Sequence, residues 1–169
     1  MKPRALITGI TGMVGSHLAD FLLANTDWDI CGMARWRSPL DNIAHLLPRI
    51  NQKDRVQLIH GDLRDSLSLA HVVRETRPNY VFHLAAQSFP KTSFDAPIET
   101  YDTNVEGTHR LLEALRQSAP EAVIHVCASS EVFGRVPKEK LPINEECTFH
   151  PASPYAISKV GTDLIGRFY

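Results

Sequence analysis

Gly9-Ile10-Thr11-Gly12-Met13-Val14-Gly15 limits the fold of this chain more than any other stretch. It follows a short apolar run, Ala5 to Thr8, and leads into Ser16 to Leu23, where apolar residues return at helical spacing. Glycines at every third position therefore stand on a strand-to-helix turn. Glycine permits a tight turn there and lets backbone N–H groups approach a pyrophosphate at the helix N-terminus, where the helix dipole favours an anion. A bare turn between strand and helix would use glycine too. Strand and helix are both in place, which favours a dinucleotide site with Gly9, Thr11, Gly12, Met13, Val14 and Gly15 against the ligand.

The rest of the chain repeats the strand-helix unit. Trp28 to Ala34 reads as a second strand. Enzymes that use NAD commonly place an acidic residue at its end, against the ribose 2′-hydroxyl. Here Arg35 and Arg37 stand in that region. Two guanidinium groups match a 2′-phosphate, so NADP is expected, with NAD possible; solvated surface arginines are the plainer alternative. Asp41 to Ile50 is a short helix, expected to end at Pro48. Val56 to His60 is a third strand, followed by Gly61-Asp62-Leu63, and Ser66 to Glu75 has helical periodicity. Tyr80 to Ala86 is a fourth strand, and Gln87 to Pro97 a polar loop. Ile98 to Ser118 is a long helix with Val105, Leu111, Leu112 and Leu115 on its apolar stripe and Gly107 as a close packing point. Ala122 to Val126 is the fifth strand. No hairpin signal interrupts the series. The pattern predicts an α/β fold with a parallel, doubly wound sheet, whose ligands sit at the carboxyl ends of the strands. The glycine turn, Arg35, Asp62, Ala85 and Ser129 all fall at such ends.

Chemistry enters with Ser129 and Glu131 after the fifth strand, and with Tyr155 and Lys159 on the last helix. Ser153 is a good N-cap and Pro154 suits the first helical position, so a helix opens there. Residues four apart share one helix face, which puts Tyr155 beside Lys159. A phenol releases its proton near pH ~10. A neighbouring ammonium favours the phenolate, so Lys159 is expected to bring Tyr155 toward working pH. With four Tyr and six Lys in the chain, this pairing alone is a weak signal. Its order is the stronger one: nucleotide turn, strand-end serine, then Tyr-x-x-x-Lys. The irregular stretch from Val132 to Pro151 is expected to serve as a lid or substrate loop.

Composition narrows the classes. The chain has 169 residues and a net charge of −1, consistent with one domain over residues 1–169. It has no basic block suited to nucleic acid and no apolar run long enough for a membrane span. Met1 to Arg4 leads straight into a strand without a visible signal peptide. Cys31, Cys127 and Cys147 are odd in number and lack metal or Cys-x-x-Cys spacing, which fits a reducing, cytoplasmic setting. The eight His are scattered without ligand spacing, so no metal site is expected. His83 and His125, inside apolar runs, are expected to be packed or hydrogen-bonded. A serine hydrolase is disfavoured because no Gly-x-Ser-x-Gly elbow occurs.

With these residues in hand, the whole chain resembles an extended short-chain dehydrogenase/reductase acting on nucleotide sugars, a Rossmann-fold family. Gly9-x-x-Gly12-x-x-Gly15, Asp62-Leu63, Leu84-Ala85-Ala86, Asn104, Ser129 and Tyr155-x-x-x-Lys159 stand in that family's order. Such enzymes are usually about twice this length, which implies a missing C-terminal substrate lobe; the last helix also runs to Tyr169 without a stop signal. Within the family the chain is most similar to the GDP-mannose 4,6-dehydratases, through His60-Gly61-Asp62-Leu63, Leu84-Ala85-Ala86-Gln87-Ser88, Ser93-Phe94-Asp95 and Ser130-Glu131-Val132-Phe133-Gly134. Ser129 and Asn104, where the dehydratases commonly have Thr and Asp, are more similar to the 4-epimerases and the GDP-4-keto-6-deoxymannose reductases. The resemblance adds Leu63, Leu84, Ala86, Ser88 and Lys159 as cofactor contacts. It implies that Tyr155 takes the proton of the sugar 4-hydroxyl, Lys159 lowers the Tyr155 pKa and holds the nicotinamide ribose, Ser129 bonds the 4-oxygen, and Glu131 removes the C5 hydrogen before water leaves C6. It also implies a homodimer or higher homo-oligomer through the helices Ile98–Ser118 and Pro154–Tyr169. A non-enzymatic NADP-binding regulator would be expected to lack Tyr155 or Lys159; both are present.

Overall fold

A computed structural model describes residues 2–169. Five strands, β1 (Arg4–Thr8), β2 (Asp29–Ala34), β3 (Val56–His60), β4 (Tyr80–His83) and β5 (Val123–Val126), form one sheet in the order β3-β2-β1-β4-β5. Every neighbouring pair is parallel. The order reverses beside β1, the doubly wound topology that the repeated strand-helix pattern predicts. Helices follow the strands as α1 (Met13–Asn25), α2 (Leu47–Gln52), α3 (Ser66–Thr76), α4 (Pro90–Asp95), α5 (Pro97–Tyr101), α6 (Gly107–Ser118) and α7 (Pro154–Phe168).

Parallel sheets bury both faces, and successive side chains on a strand point to opposite ones. On β1, Leu6 joins Leu69, Val72, Leu111 and Leu115 beneath α3 and α6. Its neighbours Ala5 and Ile7 join Ala19, Leu22, Ile30 and Val56 beneath α1. One continuous apolar run thus serves two core layers. Gly107 is a close packing point, as its position suggests: a Cβ there would lie 2.7 Å from the Leu63 Cβ.

The structure departs from the sequence expectations where proline and an edge are concerned. Pro48 opens α2 instead of ending a helix, and a 3-10 turn over Asp41–Leu46 precedes it. Pro90 and Pro97 likewise start α4 and α5 inside and at the end of the expected loop. Proline lacks the N–H that the first helical turn leaves unused, so these positions suit it. The long helix from Ile98 to Ser118 is α5 and α6 joined by a π turn over Asp102–Glu106. β4 stops at His83, because the amides of Leu84 and Ala85 leave the ladder for the Thr8 hydroxyl. His125 is exposed, not packed: β5 pairs only with β4, and its outer side is an edge.

Candidate active site

The glycine turn is built almost wholly from backbone. Gly9 has φ of +74°, and a Cβ there would meet the Ala85 Cα and N at 3.0 Å. A Cβ at Gly15 would collide with the Gly9 carbonyl. The Gly12 amide donates to Gly9 O at 3.0 Å and closes the turn. Gly12 is the N-cap of α1, and no side chain caps that helix. The first amides of α1 are therefore free to meet an anion, and no carboxylate in the first turn competes.

Beside this turn lies a cleft of about 330 Å³ at the carboxyl ends of β1, β2, β3 and β4. Gly9, Thr11, Gly12, Arg35, Asp62, Leu63, Leu84, Ala85, Ala86 and Ser88 line it. Met13, Val14, Gly15, Arg37 and Lys159 do not. Met13 and Val14 are exposed on α1, Gly15 is buried under the turn, and Arg37 is exposed beyond β2. Further residues on the wall, Ser38, Arg64 and Gln87 among them, were given no role by the sequence. Arg64 organises its floor: its amide donates to Asp62 Oδ1 at 2.9 Å and its guanidinium lies 3.5 Å from the same oxygen. Burial alone would raise the Asp62 carboxyl, but the Arg64 bonds and the charges of Arg64 and Arg35 outweigh it and hold the group below its usual range. The Gln87 Oε1 is buried without a partner. An uncapped helix start, a glycine cradle that a single methyl would fill, and an orphaned acceptor on the wall together fit an extended dinucleotide.

The second half of the site comes from β5 and α7. Ser153 caps α7 by accepting from the Ala156 amide at 3.0 Å, with Pro154 in the first turn, as the sequence predicts. The Tyr155 amide, also at the helix start, donates to Ser93 Oγ on α4 at 3.0 Å. Ser129 caps a 3-10 turn over Ser130–Phe133 and accepts from the Glu131 amide at 3.2 Å. That turn brings Glu131 round toward α7. The Ser129 hydroxyl is close enough to the Tyr155 phenol to favour its ionisation, and Glu131 is close enough to oppose it.

Lys159 is buried, and its Nζ donates to the Cys127 carbonyl at 2.8 Å. Here the sequence expectation needs correction. The Tyr155 phenol is pushed up from its ordinary value: burial is the largest cause, Glu131 adds to it, and the Ser129 hydroxyl only partly offsets it. Burial also pulls the Lys159 ammonium down. The ammonium spends its hydrogen bond on a strand-end carbonyl, so in this arrangement it anchors α7 to β5 and does not lower the phenol.

A buried polar group lies between the two halves. His83 has hydroxyls on both ring nitrogens, Thr8 Oγ1 at 2.9 Å from Nδ1 and Thr108 Oγ1 at 2.9 Å from Nε2. Burial, with the charge of Lys159, drops its pKa to about 3, so the ring is neutral. His83 is thus the hydrogen-bonded histidine that its apolar context predicts. Among the described residues no helix is long and apolar enough to cross a membrane.

Comparison with known proteins places this geometry in a family. The model of the GDP-mannose 4,6 dehydratase family matches residues 6–169. The chain is 39% identical over 162 residues to a GDP-mannose 4,6 dehydratase of Drosophila melanogaster, covering 92% of this chain and 40% of that protein. It is 38% identical over 166 residues to a GDP-mannose 4,6-dehydratase of Vibrio cholerae, covering 95% and 44%. Among solved structures, it is similar to DesIV, a dTDP-glucose 4,6-dehydratase from Streptomyces venezuelae with NAD and TYD bound. That match has a TM-score of 0.84 and 31% identity, over 98% of this chain and 51% of that one. A UDP-glucose 4-epimerase of Thermus thermophilus in complex with NAD matches with a TM-score of 0.82 and 30% identity, over 98% and 50%. The chain spans about half the length of these proteins or less. A family model that matches nearly every residue, on a doubly wound sheet with the glycine turn, Ser129, Tyr155 and Lys159 in place, assigns this chain to the GDP-mannose 4,6-dehydratase family.

Proposed function

We propose that the protein is a lyase converting GDP-mannose to GDP-4-keto-6-deoxymannose, with NADP held in the cleft and restored in each turnover. The observation that carries this reading is that the turn capped by Ser129, which carries Glu131, packs against α7, which carries Tyr155 and Lys159. A hydroxyl-hydroxyl pair suits proton exchange at a sugar oxygen. A separate carboxylate suits removal of a carbon-bound proton.

The glycine turn and the start of α1 would hold the pyrophosphate, Asp62 and Leu63 the adenosine end, and Arg35 a 2′-phosphate. Arg35 stands where an acid would accept a ribose hydroxyl, which supports NADP over NAD. When bound, the nicotinamide would supply in its oxidised form a hydride acceptor for sugar C4 and a positive charge near the phenol and, once reduced, a hydride donor for C6. Tyr155 then takes the 4-hydroxyl proton while Ser129 bonds the same oxygen. A ketone at C4 acidifies the C5 hydrogen. Glu131 removes it, and water leaves from C6. Lys159, held by the Cys127 carbonyl, fixes the pitch of α7 so that Tyr155 faces Ser129. Three free thiols support a cytoplasmic setting. Ile157, Leu164 and Phe168 share an exposed stripe on α7, and α5, packed against it, exposes Ile98; this supports a homodimer through these helices.

The test is to incubate the full-length protein with GDP-mannose and a trace of NADP and weigh the product. Loss of one water without net cofactor reduction is expected. Glu131→Gln should stop water loss and leave NADP binding intact; normal turnover in that variant would remove its role. Ser129 and Asn104 favour a second reading, a 4-epimerase or 4-keto-sugar reductase. An unchanged mass would move the assignment there.

A further inference from the structure

The cofactor cradle and the catalytic helix are far apart in sequence, yet one path of buried hydrogen bonds joins them. The Ala85 amide, which lies against Gly9, donates to Thr8 Oγ1 at 3.1 Å. Thr8 Oγ1 and His83 Nδ1 are 2.9 Å apart, as are His83 Nε2 and Thr108 Oγ1. Thr108 Oγ1 donates to the Asn104 carbonyl at 2.5 Å. The Asn104 Nδ2 donates to Ser158 Oγ at 2.8 Å, and Ser158 Oγ donates to the Tyr155 carbonyl at 2.7 Å. Thr8, His83, Thr108, Asn104 and Ser158 are all buried.

Counting protons fixes the direction of the path. The single hydroxyl proton of Thr108 goes to the Asn104 carbonyl, which can only accept. Thr108 can therefore only accept from His83, so Nε2 carries a proton. Thr8 Oγ1 already accepts from the Leu84 and Ala85 amides, which fills its two lone pairs. Its own proton must point at Nδ1, so Nδ1 carries none. His83 is the neutral Nε2–H tautomer, and donors run in one sense from the cradle to α7. Bonds aligned in one sense polarise one another, and a buried member left unpaired is costly. Imidazole is the neutral side chain that accepts and donates at the opposed edges of a flat ring, here between a strand end and a helix. Among the described residues His83 is the only one bonded to both.

We propose that His83 is a positioning residue that sets the height of Tyr155 on α7 relative to the glycine cradle. It is buried and does not line the cleft. It acts through Thr8 on one side and Thr108 with Asn104 on the other. The inference rests on the dehydratase reading for its kinetic test and on hydrogen-bond geometry alone for its spectroscopic one.

The experiment uses the full-length protein. Thr108→Val keeps shape and cuts the path on the α7 side. It should lower kcat about ten- to a hundredfold, the cost of a misplaced reacting group, and leave NADP affinity unchanged. His83→Gln puts an amide donor near the Nε2 position, whereas His83→Asn puts an acceptor near Nδ1 only. Of these two, only His83→Gln should recover kcat. Imidazole nitrogen NMR, with His83→Gln to assign the signal, should give an unprotonated Nδ1 and a protonated Nε2 at neutral pH. A kcat in Thr108→Val equal to the parent's, equal losses in the Gln and Asn variants that merely track folded fraction, or an Nδ1–H ring would each overturn the proposal. If the parent does not turn over GDP-mannose, the functional reading fails instead. Difference absorbance of the Tyr155 phenol, measured against Tyr155→Phe, then replaces kcat: Thr108→Val must move its titration and His83→Gln must not.

Discussion

The two ends of this site are made of different material. At the glycine turn nearly all the geometry is main chain: a left-handed Gly9, uncapped amides at the start of α1, and side chains excluded by contact. At β5 and α7 it is side chain: a serine, a tyrosine, a glutamate and a lysine, each placed by a cap or a carbonyl. A main-chain site tolerates almost no added volume and is indifferent to charge chemistry. A side-chain site tolerates volume and depends on which proton sits where. Lys159 illustrates the second case, since its role turns on the single acceptor it has found.

That contrast can be broken in order of effect. Tyr155→Phe keeps volume and removes one oxygen; kcat should fall about a thousandfold with NADP affinity unchanged, measured by steady-state turnover and fluorescence titration. A parallel loss of affinity would show that the two ends are not separable. Gly15→Ala adds one carbon and no charge. Its neighbours are backbone and cannot swing away, so stability should fall by about 1–3 kcal/mol in a thermal melt, with cofactor affinity falling alongside.

His83 sharpens the comparison from between the two ends. Its folded pKa of about 3 lies below the ordinary 6.5, so the unfolded chain takes up the proton first. Its contribution is complete above pH ~6.5 and is lost as pH falls toward about 3. From pH 7 to pH 5 the loss is about 2 kcal/mol, read as the difference in urea stability between the parent and His83→Gln, which has no such slope. The smallest effect expected is at the exposed Arg35. Arg35→Ser should shift preference from NADP toward NAD about tenfold in competitive titrations.

What could be read from the sequence was local. The β1-to-α1 turn is contiguous, and Ser153-Pro154 announces α7 within two residues. Five strands followed from short apolar runs between turn residues. Prolines 48, 90 and 97 misled because proline both stops and starts helices, and the missing donor alone does not say which. His125 was misplaced because an apolar run does not reveal that its strand is an edge. Of the cleft residues chosen from sequence, Gly9, Gly12, Arg35, Asp62 and Ala85 meet on one wall, while Arg37 stands apart from it. Arg64 carried no motif, and Gln87 stood in one without a role assigned to it. The polar path could not be read at all: Thr8 and His83 are 75 positions apart, and Asn104 and Ser158 54. Hydroxyls buried in apolar strands and helices, such as Thr8 and Thr108, are the one signal that could have pointed to it.

The π turn at Asp102–Glu106 has a further meaning as a matter of phase. An α-helix advances about 100° per residue, so one inserted residue rotates everything after it by that amount. Upstream, α5 lies against α7; downstream, Leu111, Leu112 and Leu115 of α6 face the sheet. Asn104 sits inside the turn, where its carbonyl accepts the hydroxyls of both Thr108 and Thr162. The extra residue lets one rod present two faces that a regular helix could not align together. Deleting a single residue between 102 and 106 would leave composition and length almost untouched. It would still force a choice between a sealed core and a seated Asn104.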